Sequence, residues 1–76
     1  MVIVIYTTDR CPYCRAAKDL LRAKKLAFEE VDVGEEDRFD ELVRKTGWKT
    51  VPQIFIDDQL IGGFEELRRL DQAGRL

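Results

Sequence analysis

The sequence contains no histidine, serine or asparagine, and only two of its 76 residues are cysteines. The absence of histidine excludes catalysis by an imidazole base, and the absence of serine excludes a serine nucleophile. Two cysteines are too few for the disulfide framework that stabilises many small domains. The reactive chemistry open to this chain is therefore centred on its two thiols.

Long hydrophobic runs and an excess of charge of one sign are also absent. No segment approaches the ~20 apolar residues that a membrane span needs, and no basic leader or small-residue cleavage site of a secretory signal is present. The net charge of −2 is too even a balance for a nucleic-acid or membrane surface. We expect a cytoplasmic, monomeric protein, a setting in which a cysteine pair is more often redox-active or metal-binding than structural.

The length of the chain predicts one domain over residues 1–76. Hydrophobic patterning divides this domain into seven elements. The continuous β-branched run Val2–Tyr6 predicts a strand buried on both faces, and a helical period begins at Pro12. The remaining strands and helices are predicted at residues 28–33, 35–46, 51–56, 59–61 and 64–72. The order β-α-β-α-β-β-α predicts an α/β fold with a four-stranded mixed sheet flanked by helices.

Both cysteines lie in the segment CPYC, where the first strand gives way to the first helix. Residues three apart in a helical turn are about 5–6 Å apart, a separation that suits a disulfide. Cys11 falls at the helix N-cap, where unpaired N–H groups and the helix dipole favour a thiolate. Pro12 suits the first helical position, which needs no N–H partner. We predict that Cys11 is the nucleophile and Cys14 the resolving thiol of a redox-active pair.

A structural disulfide and half of a zinc site are the competing interpretations of this pair. A disulfide across so short a loop contributes only about 2 kcal/mol. Zinc would need two further Cys or His ligands, which the chain does not contain. Redox chemistry is favoured because Cys-x-x-Cys beside a βαβ pattern is its recognised signature, and no metal is expected.

Three stretches of the chain together resemble the small bacterial dithiol glutaredoxins of the CPYC type. They are CPYC at residues 11–14, TVPQIFI at residues 50–56 and GGFEEL at residues 62–67. The resemblance covers nearly the whole chain and implies a thioredoxin-like fold. It also implies a glutathione-dependent thiol–disulfide oxidoreductase that reduces glutathione mixed disulfides and protein disulfides. Glutathione is then the co-substrate, regenerated by glutathione reductase with NADPH.

The resemblance further implies which positions bind glutathione. Pro52 is expected to follow a cis peptide bond, and the backbone of Val51 to pair with an extended glutathione. The start of the last helix is expected to hold the γ-glutamyl carboxylate with free N–H groups. The full set of expected glutathione-binding positions is Tyr13, Thr50, Val51, Pro52, Gly63, Phe64 and Glu65.

Three positions depart from the pattern of the resembling family. One is Glu65, which stands where the family often has aspartate. Thr8 stands where many glutaredoxins have a lysine that binds the glycine carboxylate of glutathione. Arg10, Arg38 and Lys49 are the alternatives for that positive charge, and the sequence does not choose among them. Phe64 stands where a small residue is usual, and its bulk is expected to narrow the γ-glutamyl end of the site.

Two alternative functions stay open beside the glutathione-dependent enzyme. A Gly-Phe pair at the last helix also resembles glutaredoxin-like electron donors that thioredoxin reductase reduces. A binding module that bridges an iron–sulfur cluster through Cys11 and glutathione is ranked lower, because Pro12 disfavours it. Trp48, just before the TVP stretch, is interpreted as covering the core more than lining the groove.

Overall fold

The computed structural model describes all 76 residues, and its elements follow the predicted order. The elements are β1 (Ile3–Thr7), α1 (Pro12–Ala23), β2 (Glu29–Asp32), α2 (Glu36–Thr46), β3 (Gln53–Ile56), β4 (Gln59–Gly62) and α3 (Phe64–Gln72). The strands form one sheet in the order β2-β1-β3-β4, with β1 parallel to β2 and antiparallel to β3. The predicted four-stranded mixed sheet is confirmed. None of the three helices has both the length and the apolar character needed to cross a bilayer.

The central strand β1 has two unequal faces. Ile3, Ile5 and Thr7 are buried, whereas Val4 and Tyr6 are only half-buried. The buried face contributes to a core made with α1, α3 and β3, whose members are Ile3, Ile5, Ala17, Leu21, Ile54 and Leu67. The opposite face is covered by α2 alone, which leaves an open cavity of about 230 Å³ beside Tyr6. The prediction that β1 is buried on both faces is therefore wrong, because one short helix does not cover that side.

Local signals place most helix and turn boundaries. α2 carries acidic residues in its first turn and basic residues in its last, and it ends at Gly47 with a φ of 74°, the left-handed cap for which glycine is suited. Asp57 and Asp58 both have positive φ, at 51° and 67°, as a two-residue hairpin turn of type I′ requires. The Asp57 carboxylate also accepts a hydrogen bond from the Val2 N–H at 2.8 Å, which holds the turn against the start of the chain.

Two strands are shorter than their sequence pattern indicates. β3 begins at Gln53 and not at Val51, because Pro52 has no N–H to donate to a strand ladder. The Val51–Pro52 peptide bond is cis, as the resemblance implies. β2 begins at Glu29, since Phe28 packs against the core and does not pair with β1.

The sheet topology brings three segments to one end of the molecule. β1 runs into the loop that carries Cys11 at the start of α1. Because β3 runs antiparallel to β1, its first residues and the preceding Pro52 turn lie at that same end. β4 returns antiparallel to β3 and delivers the N-terminus of α3 there as well. The N-termini of two helices and the Pro52 turn therefore face a common groove.

Candidate active site

Cys11 is placed by the backbone at the start of α1. It is the N-cap residue, with extended backbone angles, and Pro12 occupies the first helical position. Its Sγ accepts a hydrogen bond from the Cys14 N–H at 3.1 Å and lies 3.6 Å from the Val51 carbonyl oxygen, to which the thiol donates. Cys11 is partly exposed, so its sulfur can meet a substrate disulfide.

Cys14 has a different environment, although both cysteines are free thiols. It is only 1% exposed. Burial, followed by the hydrogen bond with Cys11, raises the pKa of the Cys14 thiol to about 12. A backbone hydrogen bond from Thr8 and the charge of Lys18 act in the opposite direction on this pKa. At neutral pH the Cys14 sulfur is therefore a protonated thiol, shielded from solvent, while the Cys11 sulfur is accessible.

A groove of about 370 Å³ lies between the Pro52 turn and the start of α3. All seven positions that the resemblance assigns to glutathione line it: Tyr13, Thr50, Val51, Pro52, Gly63, Phe64 and Glu65. Trp48 and Glu66 complete its lining. The sequence analysis ranked groove lining second for Trp48 and did not predict Glu66 as a groove residue. Trp48 has two environments. Its Nε1 is buried without a hydrogen-bond partner, whereas another part of the residue lines the groove.

The N-terminus of α3 has spare hydrogen-bond donors. The first helical bond runs from the Leu67 N–H to the Gly63 oxygen at 3.1 Å, so the N–H groups of Phe64, Glu65 and Glu66 have no partner within the helix. The Gly63 N–H donates to Glu66 Oε1 at 2.9 Å. The resemblance implies the N–H groups of Gly63, Phe64 and Glu65 as donors to the carboxylate, and that of Gly63 is thus already bonded within the protein. A glutamate three residues after the N-cap is a capping signal that could have predicted this contact.

Two glycines lie where β4 leads into α3, and their surroundings differ. A Cβ added at Gly63 would lie 3.4 Å from the Pro52 oxygen and 3.6 Å from Glu66 Oε1. Gly62 has a φ of 122°, and a Cβ there would lie 2.7 Å from Glu66 Cγ. A side chain at Gly62 would therefore collide with Glu66 and strain the backbone.

The positive charges near the site are unequal in their placement. Arg10 and Arg15 border a depression of about 320 Å³ that also includes Cys11. The Arg38 guanidinium donates a hydrogen bond to the backbone carbonyl oxygen of Asp32 at 3.3 Å and lies at the C-terminal end of β2. Lys49 lines neither the groove nor this depression. Of the three residues proposed to replace a lysine at position 8, Arg10 is the one beside Cys11.

An apolar rim closes one side of the groove. Tyr13 is 63% exposed, and its ring centroid lies 6.2 Å from that of Phe64 with an interplanar angle of 32°.

No group of three or more His, Cys, Asp or Glu residues is arranged to hold a metal ion. The chemical groups gathered at this end of the molecule are an accessible thiol, a buried thiol, free N–H donors and two arginines.

Comparison with known proteins identifies this arrangement. The family model described as "Glutaredoxin" matches residues 3–61. The chain belongs to the glutaredoxin family. It is 45% identical over 75 residues to glutaredoxin 3 of Escherichia coli strain K12, covering 97% of this chain and 90% of that protein. It is 47% identical over 75 residues to a glutaredoxin of Pseudomonas aeruginosa, covering 97% and 89%.

Solved glutaredoxin structures share the fold. The crystal structure of the buckwheat glutaredoxin–glutathione complex matches with a TM-score of 0.88 at 26% identity, covering 97% of this chain and 71% of that one. The thioredoxin-like fold implied by the resemblance is therefore confirmed. Glutaredoxins are thiol–disulfide oxidoreductases, generally dependent on glutathione, and the Cys11–Cys14 pair makes this chain a dithiol member.

Proposed function

We propose that this glutaredoxin uses glutathione to reduce glutathione mixed disulfides and protein disulfides through Cys11 and Cys14. The observation that carries the proposal is the Cys11 sulfur at the start of α1, hydrogen-bonded to Val51 beside a groove lined with free backbone donors. The glutathione bound in the buckwheat complex supports the same ligand for this groove.

The chemistry begins at Cys11, whose sulfur is accessible while that of Cys14 is not. The Cys11 thiolate attacks a glutathionylated protein at the glutathione sulfur, and the protein sulfur leaves as a thiolate that takes up a proton. A second glutathione thiolate then attacks the glutathione bound to Cys11, releasing glutathione disulfide and the Cys11 thiolate. With a protein disulfide as substrate, the Cys14 sulfur attacks Cys11 in the mixed disulfide, the bond between Cys11 and the substrate sulfur breaks, and the reduced substrate leaves. Two glutathione thiolates then reduce the internal Cys11–Cys14 disulfide in turn and leave as glutathione disulfide.

The ends of glutathione match the polar groups of the groove. The Val51 N–H has no hydrogen-bond partner in the protein and can pair with an extended peptide. The N–H groups of Phe64 and Glu65 suit the γ-glutamyl carboxylate, and the carboxylate of Glu65 at the same helix end suits the neighbouring ammonium group. Arg10, on the other side of Cys11, is the proposed partner of the glycine carboxylate.

Turnover with alternative reductants tests the proposal. A glutathionylated peptide and NADPH are supplied with either glutathione plus glutathione reductase, or thioredoxin reductase alone. We expect turnover with the first system, its loss in Cys11→Ser and its retention in the matched variant Cys14→Ser. Turnover with thioredoxin reductase alone would instead support the electron-donor alternative, in which the Tyr13–Phe64 rim narrows the groove.

A further inference from the structure

Lys18 lies one helical turn after Cys14 and is held from the side of the sheet. Its Nζ donates to Glu30 Oε2 at 2.8 Å, and the same oxygen accepts a hydrogen bond from Thr7 Oγ1 at 2.7 Å. The Lys18 side chain is only 22% exposed, and Thr7 is buried. The ammonium group of Lys18 is therefore a fixed charge that joins α1 to β1 and β2.

This ion pair differs from the others in the molecule. Three of the remaining pairs join residues three or four apart in one helix, and exposed pairs of that kind contribute little stability. The fourth joins Lys24, at the far end of α1, to Asp71 in α3 at 2.8 Å. Among the ion pairs, only Lys18–Glu30 links the part of α1 near the cysteines to the sheet.

Cys14 must become a thiolate to attack a disulfide, and its surroundings oppose this. Burial is the largest cause of its raised pKa of about 12, so the reactive fraction at neutral pH is small. The titratable groups that act on its charge are Cys11, which disfavours the thiolate, and Lys18, which favours it. Helical side chains lean toward the N-terminus, which carries Lys18 over the turn that contains Cys14.

We propose that Lys18 is a positioning residue for the resolving step, in which the Cys14 sulfur attacks the mixed disulfide at Cys11. Its ammonium group is held by Glu30, whose carboxylate also accepts a hydrogen bond from Thr7, and it stabilises the negative charge on Cys14 during the attack. The Cys14–Cys11 bond forms, the bond between Cys11 and the substrate sulfur breaks, and the departing thiolate takes up the proton that Cys14 lost. This inference rests on the dithiol chemistry proposed above and does not require glutathione as the reductant.

An aromatic disulfide that releases a coloured thiolate separates the two steps in a stopped-flow experiment. With one equivalent of reagent per reduced protein, attack by Cys11 gives the first release, and attack by Cys14 on the resulting mixed disulfide gives the second. Cys14→Ser should give the first release alone and sets the baseline. Since no glutathione is present, a failure of the proposed reductant leaves this measurement intact.

Opposite effects are expected from the two members of the ion pair. Lys18→Gln should slow the second release about three- to tenfold and leave the first unchanged, because the loss of thiolate is partly offset by greater nucleophilicity. Its pH profile for the second release should move to higher pH, and Lys18→Arg should restore the rate to within about twofold. Glu30→Gln removes the charge that offsets Lys18 and should accelerate the second release about twofold.

The first release is the internal control for folding in every variant. An unchanged second release in Lys18→Gln, or equal slowing of both releases, would overturn the proposal. It would also be overturned if Lys18→Gln and Glu30→Gln slowed the second release to the same extent. The bracing of α1 against the sheet, and not the charge of Lys18, would then explain the result.

Discussion

The N-termini of α1 and α3 open onto the same groove but use their backbone donors differently. At α1, Pro12 has no N–H and the Cys14 N–H donates to the Cys11 sulfur, so few donors are left over. At α3, the cap residue Gly63 has no side chain, and Glu66 reaches back to the Gly63 N–H. The following N–H groups of α3 have no partner in the protein.

This difference shows how one backbone property serves two purposes. A helix N-terminus stabilises negative charge whatever its source. In the proposed function, that charge at α1 is on the Cys11 sulfur, the proposed nucleophile. At α3 the donors are left for the carboxylate of the proposed ligand. The choice depends on whether the cap residue brings an acceptor of its own.

Removing the sulfur from α1 should have the largest effect. Cys11→Ser leaves the helix cap with a hydrogen-bond acceptor but removes the nucleophile, so turnover of a glutathionylated peptide should fall at least about a thousandfold.

Alkylation of the wild-type protein against pH, followed by peptide mapping, should locate the reactive thiolate at Cys11. Modification of Cys14 before Cys11 would contradict the assigned roles.

Removing the buried thiol should divide the two activities. In Cys14→Ser, deglutathionylation should stay within about threefold, because a second glutathione resolves the mixed disulfide. Reduction of a protein disulfide should fall about 10- to 100-fold, since an adjacent thiol acts at high effective concentration. Both substrates are to be assayed with the same enzyme preparations. Equal loss of both activities would mean that the protein works only as a dithiol.

A side chain at the approach to α3 should disturb the other helix end. Gly62→Ala places a Cβ against Glu66 at a φ of 122° and should lower the free energy of unfolding by about 1–3 kcal/mol. The matched control is Gly74→Ala, which also has positive φ, at 72°, but open space around it. Urea unfolding compares the two. A smaller loss in Gly62→Ala than in Gly74→Ala would show that the contact with Glu66 carries no cost.

The buried thiol should also leave a signature in alkaline stability. The pKa of Cys14 is raised from 9.0 to about 12 in the folded protein, so its contribution to stability is complete below pH 9.0 and is lost as the pH rises toward 12. Relative to Cys14→Ala, the wild type should lose about 1 kcal/mol between pH 9 and pH 10. Parallel pH dependence of the two proteins in denaturant unfolding would contradict this.

The smallest effect is expected from the side chain of Phe64. If α3 binds a carboxylate through backbone N–H groups, Phe64→Ser should leave the glutathione affinity of the Cys14→Ser variant unchanged or improve it up to about threefold. Calorimetric titration with a non-reactive glutathione analogue measures this affinity. A large loss of affinity would make the Phe64 ring part of the binding site.

The sequence analysis was most successful where structure depends on near neighbours. The α2 boundaries follow from charge at its ends and from Gly47, and the hairpin turn follows from two aspartates between short apolar runs. It was less successful at β1 and β3. The half-burial of Tyr6 depends on how much of the sheet α2 covers. The start of β3 at Gln53 depends on the position of Pro52, which has no N–H for pairing with a neighbouring strand.

By itself, the sequence determined the order of the elements, the reactive cysteine pair and the glutaredoxin motifs, because period, capping and turn chemistry act over a few residues. Tertiary structure alone decided that Trp48 and Glu66 line the groove, and that Arg38 and Lys49 lie outside it. It also decided the opposite environments of the two sulfurs. Burial and the fixed charge of Lys18 arise only when α1 packs on the sheet, and no local pattern records that contact.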